Sequence, residues 1–196
     1  RLLKAGAAAV EKVKKENAAA TGLLFGWSPT VDGVVLPRHP FSPDAPEQSR
    51  DIPMIIGTTC TECAASAYVS QMRYLTEDKV MEMVRNNYGD STEKFVEAYQ
   101  KAYPNYKPAD LIDTDFMFRS QAITQGRLKA QQGGAKVWMY LFGWQSPVLN
   151  GALRSTHCME IPFVFNNADV HASMTGGGEA ALKLADRMSD AWVNFA

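Results

Sequence analysis

Long hydrophobic runs are missing from this chain of 196 residues. The longest apolar stretch, Val137 to Trp144, spans only those eight positions and includes Gly143, well short of the roughly 18 to 20 that a bilayer-spanning helix needs. A helical membrane span is thereby excluded. Charge of one sign is missing too: 20 Lys and Arg stand against 21 Asp and Glu, for a formal net charge of -1. Without a basic run the chain carries no nucleic-acid footprint of the usual kind, and polyanion partners are disfavoured. Cysteine is scarce, and three residues cannot all pair within one chain, which favours a reducing compartment or one free thiol. No internal repeat or low-complexity tract is visible. The first residue is Arg1 rather than Met, so the lack of a leader says nothing about where the protein lives.

What is present is an apolar fraction of 46%, enough for the core of one domain or a large part of a bigger one. Near the end, Leu182, Ala185, Met188, Trp192 and Phe195 recur at spacings of three and four, an amphipathic helix with no Gly or Pro to stop it before Ala196. Leu3, Val10 and Val13 suggest a helix at the other end, again without a clear cap. Both ends read as cut, and the expectation is of an excised piece.

Between these helices, residues 22–53 carry most of the prolines and read as loop, with at most short strands such as Val31 to Leu36. Ile52 to Gly57, with Met54, Ile55 and Ile56 at its centre, has the profile of a short strand buried on both faces. Thr76 can cap a helix with Glu77 and Asp78 in its first turn and Val80, Met83, Val84 and Tyr88 as its apolar stripe. Ser91 or Thr92 opens a second helix through Phe95, Tyr99 and Ala102, stopped by Pro104. A third is expected from about Ala109 to Gln132, through Phe116, Ile123 and Leu128, ending at Gly133-Gly134. Lys136 to Trp144 reads as a second buried strand, followed by a loop from Gln145 to Thr156, and the Gly176 to Gly178 turn leads into the final helix. Two buried strands separated by helices imply an α/β layered fold with a mostly parallel sheet and flanking helices. In such sheets the working groups lie beyond the carboxyl ends of the strands.

Two constellations compete for those ends. Cys60 and Cys63 flank Thr61 and Glu62, and His157 stands directly before Cys158, so a Cys3His zinc shell can be assembled on paper. Against it, adjacent ligands are a poor second pair, because neighbouring side chains in an extended segment point opposite ways. Buried apolar filler or a free thiol are the alternatives for these cysteines. The other constellation is Glu62 with His157. An imidazole can activate a hydroxyl nucleophile when a carboxylate on its far nitrogen fixes the tautomer, and acid before histidine is the order of α/β-hydrolases. A serine nucleophile is not found: Ser28 in GWSPT and Ser146 in GWQSP lack a second glycine, no G-x-S-x-G occurs, and Thr175 precedes the glycines where an oxyanion-hole HGGG would need histidine. His39 and His171 read as surface residues. Trp144, Phe163 and Phe165 suit core packing better than a substrate pocket.

The blocks SPTVDGVVLPRHPF, DIPMIIGTTCTEC, DTDFMFRSQAI, VWMYLFGW, STHCMEIPFVFNN and DRMSDAWVNFA together resemble, in order, the C-terminal part of a type B carboxylesterase. This α/β-hydrolase family includes bacterial p-nitrobenzyl esterases and cholinesterases. The resemblance covers nearly the whole chain and implies the C-terminal portion of one α/β-hydrolase catalytic domain. It implies Glu62 as triad acid, His157 as general base and Glu160 as a buried second carboxylate that supports the site through hydrogen bonds. The nucleophilic serine and oxyanion hole would lie in an N-terminal half absent from these residues. That half and a small-molecule ester are the implied partners; no cofactor, metal, nucleic acid or membrane is implied. The chain departs from the family at Cys60, Thr61, Cys63 and Cys158, where a basic residue, Asp, Gly and a small residue are frequent. A silent esterase-like binding protein and a zinc module are the rival readings.

Overall fold

The computed structural model describes residues 1–16, 29–115 and 117–196. Ser28, Phe116 and the opening of the proline-rich segment lie outside the described residues. The described chain divides into two compact units, Arg1–Pro46 and Glu47–Ala196.

In the first unit, helix α1 (Leu2–Glu16) has Lys14 and Lys15 in its last turn, where they complement the helix dipole, and ion pairs Lys12–Glu16 and Glu11–Lys14 on its surface. Among its apolar side chains Leu2 and Leu3 are 74% and 81% exposed. The anticipated strand at Val31 to Leu36 is instead a turn built on Asp32, whose Oδ1 accepts the N–H groups of Val34, Val35 and Leu36, each at 2.9 Å. Those three bonds hold the Asp32 carboxyl below its usual range. A short carboxylate beside Gly33, which adopts φ +76°, closes this turn at little steric cost, and alternating apolarity alone could not outweigh it.

The second unit is built around two parallel strands, β1 (Met54–Thr59) and β2 (Val137–Phe142), paired in register from Met54 with Val137 to Thr59 with Phe142. Between them run α2 (Ala65–Tyr68), α3 (Glu77–Tyr88), α4 (Thr92–Ala102), α5 (Pro108–Ile112) and α6 (Arg119–Gln131); after β2 come α7 (Ile161–Val164), α8 (Ala172–Thr175) and α9 (Gly178–Phe195). Thr76 occupies the N-cap position of α3, although its hydroxyl makes no capping bond. Helix α4 has the expected bounds. Val80 and Val84 of α3 pack with Leu111 and Ile112 of α5 in one core cluster, against which Tyr88 and Phe95 stack at 4.0 Å.

Three expectations need correction. The long helix from Ala109 to Gln132 is two helices, broken at Asp113–Asp115. Pro108 opens the first, and the Asp115 carboxylate restarts the second by accepting the N–H groups of Met117, Phe118 and Arg119 at 2.8 to 2.9 Å. Such a carboxylate satisfies donors that a helix N-terminus leaves unpaired. Asp115→Ala is therefore expected to cost about 1 to 2 kcal/mol of unfolding free energy in urea denaturation, with Asp115→Asn recovering most of it. Second, β2 is not buried: Trp138, Met139 and Leu141 are between 46% and 49% exposed. Its cover comes from α9, where Phe195 meets Trp138 at 5.6 Å and Trp192 meets Tyr140 at 5.1 Å, and from α6, where a Cβ on Gly126 would lie 2.4 Å from the Met139 sulfur. Strand β1 is likewise only half-buried until its last two residues. Third, the inward stripe of α9 runs through Ala181 and Ala185, with Leu184 and Met188 against the same core, while Leu182 is 40% exposed.

Candidate active site

The carboxyl ends of both strands carry the candidate residues. The parallel ladder continues one step past β1, with the Cys60 N–H donating to the Phe142 carbonyl at 2.9 Å. There the chain turns, and the turn brings Glu62 back over the strand it has just left. Its Oε1 accepts the Thr59 N–H at 2.7 Å, and its side chain is 8% exposed.

His157 arrives from the loop after β2. Its Nδ1 lies 2.6 Å from Glu62 Oε2, within the range of a charge-assisted hydrogen bond. Backbone bonds fix this meeting independently of the side chains. The His157 N–H donates to the Glu62 carbonyl at 3.1 Å and the Thr61 N–H to the Ser155 carbonyl at 3.3 Å, while Thr61 Oγ1 accepts the Ser155 N–H at 3.1 Å. Three bonds thus lash residues 155–157 to residues 61–62. The loop is anchored further by Ser155 Oγ, which donates to the Trp144 carbonyl, and by Thr156 Oγ1, 3.0 Å from the Tyr68 hydroxyl. The His157 side chain is 54% exposed, and its Nε2 has no hydrogen-bond partner among the described residues.

Residues 156–160 form a turn rather than the extended segment expected. Cys158 adopts φ +64°, an uncommon conformation for a residue other than glycine, and the Met159 N–H returns to the Thr156 carbonyl at 3.1 Å. The turn leaves His157 exposed and Met159 fully buried. Cys60, Cys63 and Cys158 are free thiols, and no group of three or more His, Cys, Asp or Glu among the described residues is placed to hold a metal ion. Burial pushes the Cys60 thiol up, an effect opposed by the Arg119 charge.

Glu160 departs from expectation. It is half-buried at the N-terminal edge of α7, but its Oε2 is sealed from solvent with no hydrogen-bond partner among the described residues, and no hydrogen bond joins it to Glu62 or His157. Burial raises its carboxyl above the usual range; its own N–H opposes this, the Glu62 charge adds to it and His157 opposes it. His39 and His171 are exposed. Phe163 is fully buried with Trp144 packed against it, whereas Phe165 is 72% exposed and lies outside that core cluster.

Two residues adjoining the pair were not singled out from the sequence. The Phe118 ring stacks on the His157 imidazole, with centroids 5.7 Å apart and planes at 15°. Arg119 Nη2 donates to the Cys60 carbonyl at 2.6 Å and reaches the Thr59 carbonyl at 3.5 Å. The available sequence signal was Asp115 three and four residues ahead of them, a cap that fixes where the helix starts.

Known proteins with related sequences place these features in context. The para-nitrobenzyl esterase of Bacillus subtilis (strain 168) is 29% identical over 185 residues, covering 87% of this chain and 34% of its own length. Phenmedipham hydrolase of Pseudarthrobacter oxydans is 30% identical over 149 residues, 74% of this chain and 29% of its own. Fumonisin B1 esterase of Sphingopyxis macrogoltabida is 28% identical over 177 residues, 86% of this chain and 32% of its own. The chain thus spans about a third of the length of the curated relatives it matches. The profile of the carboxylesterase family matches residues 4–196. With that match over nearly all its length, and an α/β arrangement that sets an acid and a histidine together at the ends of two parallel strands, the chain belongs to the carboxylesterase family.

Proposed function

We propose that this chain supplies the acid and the general base of a Ser-His-Glu triad in a carboxylic ester hydrolase, with the serine and oxyanion hole contributed by sequence outside these residues. The observation that carries the reading is the 2.6 Å contact between His157 Nδ1 and Glu62 Oε2. In this role Glu62 accepts the Nδ1 proton, which leaves the Nε2 lone pair free at the exposed edge of the ring. Nε2 then removes the proton from the serine hydroxyl as the oxygen attacks the ester carbonyl, and returns it to the departing alcohol. Water repeats the cycle on the acyl-serine, releasing the carboxylic acid. The imidazolium formed midway is stabilised by the Glu62 carboxylate, whose second oxygen stays on the Thr59 N–H. Two relatives named as esterases and one named as a hydrolase support a small-molecule ester as the substrate class.

The members of a triad act as a unit, so an acid and a histidine without their serine have no nucleophile to activate. Ester turnover is expected from a polypeptide extended to the length of the relatives and not from purified residues 1–196. Turnover by the 196-residue chain that disappears on His157→Ala would overturn the assignment of the nucleophile to a missing segment.

A further inference from the structure

A single hydrogen bond at Nδ1 fixes one atom of the His157 ring but not its plane, and the side chain is 54% exposed. The tilt of that plane decides where Nε2 points. Among the described residues the imidazole has one ring partner, Phe118, which lies nearly parallel to it. The next residue, Arg119, grips the other half of the site. The Cys60–Thr61 peptide is held at both ends, its carbonyl by Arg119 Nη2 at 2.6 Å and its N–H by Ser155 at 3.3 Å. The Thr59–Cys60 peptide is held likewise, more loosely by Arg119 at 3.5 Å and at its N–H by Phe142 at 2.9 Å. These are the peptides that turn Glu62 back toward His157.

We propose that Phe118 and Arg119, at the capped start of α6, form a two-point clamp that sets the Glu62–His157 pair. Phe118 fixes the imidazole plane, and Arg119 fixes the turn that presents the carboxylate. Both are positioning residues, and the proposal rests on the reading of the pair as acid and base. Adjacent positions on one helix start tie the two contacts to a common anchor, since Asp115 holds the N–H groups of both residues. Tilting the ring or shifting the turn would move Nε2 relative to its target while leaving every member of the pair present.

The test uses the intact, active protein and a small soluble ester. Phe118 is 40% exposed, so Phe118→Leu keeps the fold while removing the flat face. It is expected to lower kcat by about tenfold to a hundredfold with KM changed by less than about twofold, as a small misplacement of a reacting group does. Phe118→Tyr, which keeps the face, is expected to restore kcat to within about threefold of the parent. Arg119→Met should lower kcat with the same KM pattern. In NMR spectra, the downfield Nδ1–H resonance of a carboxylate-bonded imidazole should be sharp in the parent and Phe118→Tyr and broadened in Phe118→Leu. Unchanged kcat in Phe118→Leu, a rise in KM alone, or failure of Phe118→Tyr to rescue would overturn the clamp. If Glu62→Gln is silent as well, the triad reading fails; if Glu62→Gln is severe and Phe118→Leu silent, only the clamp fails.

Discussion

With Glu62 in the proposed role of triad acid, Glu62→Gln in the intact protein is expected to reduce kcat by roughly 10⁴ with little change in KM, comparable to the loss of the orienting acid in established triads. The size of the effect follows from the geometry around the carboxylate. Its two oxygens have separate duties: Oε1 accepts the Thr59 N–H at 2.7 Å and Oε2 faces His157 Nδ1 at 2.6 Å. A glutamine has one oxygen, and a backbone N–H can only donate. The amide oxygen must therefore stay on Thr59, which turns the NH2 group toward Nδ1. Facing a donor, Nδ1 becomes an acceptor and the ring proton moves to Nε2, where a general base needs a lone pair. The substitution thus removes the charge and imposes the wrong tautomer, while side-chain volume and burial are almost unchanged. A factor of that size corresponds to about 5.5 kcal/mol of barrier, more than a lost packing contact at this site could supply. Steady-state kinetics with a small ester check it, and a rate within tenfold of the parent would falsify the role given to Glu62.

How far the sequence foretold this arrangement depended on whether the decisive interaction was local. Helix α4 was legible because its start and stop are written in neighbouring residues: Thr92 Oγ1 turns back to the Gly89 carbonyl at 2.7 Å, and Pro104 lies just beyond the last turn. The two strands were legible as apolar runs, and their parallel pairing followed from the helices between them. The break in the expected Ala109–Gln132 helix was not, because each residue there tolerates a helix. What breaks it is that the carboxylates of Asp113 and Asp115 have better uses, one on Ser66 and the other on the N–H groups of residues 117–119. The exposure of Trp138 and Leu141 was equally invisible, since an apolar pattern records which side chains avoid water and not which element covers them.

The same division holds at the site. Glu62 and His157 could be paired on paper because both follow strands, and strand ends in a parallel sheet share an edge. Of the three bonds that lash their loops together, two join backbone groups and have no residue signature, since any non-proline chain can supply an N–H; the third needs the Thr61 hydroxyl. Phe118 reads as one more apolar position in a run. Its contact with His157 depends on the angle at which α6 leaves its cap, which only the packed structure specifies. Glu160 shows the opposite failure: the resemblance implied hydrogen bonds, yet its buried Oε2 takes none among the described residues.

The largest effect on stability is expected at Arg154, which precedes the loop residues that bear on the site. Its guanidinium is shared between Asp110, through Nη2, and Asp113, through Nε at 3.4 Å. The Asp113 side chain has no exposed surface. Its other partners are the Ser66 N–H at 3.0 Å and the Ser66 hydroxyl, neutral groups that cannot offset a full charge. Arg154→Met therefore leaves an ionised carboxylate sealed in protein without a counter-charge, a situation that costs about 3 to 5 kcal/mol. The 3.4 Å separation and the partial exposure of the arginine place the expected loss at the lower end, about 3 kcal/mol by urea unfolding. Adding Asp113→Asn to Arg154→Met should recover most of it, because the amide keeps an acceptor for Ser66 and removes the uncompensated charge. The pair of variants separates two explanations that the single substitution confuses. If arginine mattered chiefly as packing for the loop, the second change would add damage; if it mattered as a counter-charge, the second change repairs. The double variant should also hold the Ser146–Arg154 bridge, made by the Ser146 N–H and the residue-154 carbonyl at 3.2 Å, since no side chain takes part in it. His157 would then stay on Glu62. A double variant less stable than Arg154→Met alone would refute the electrostatic account of this anchor.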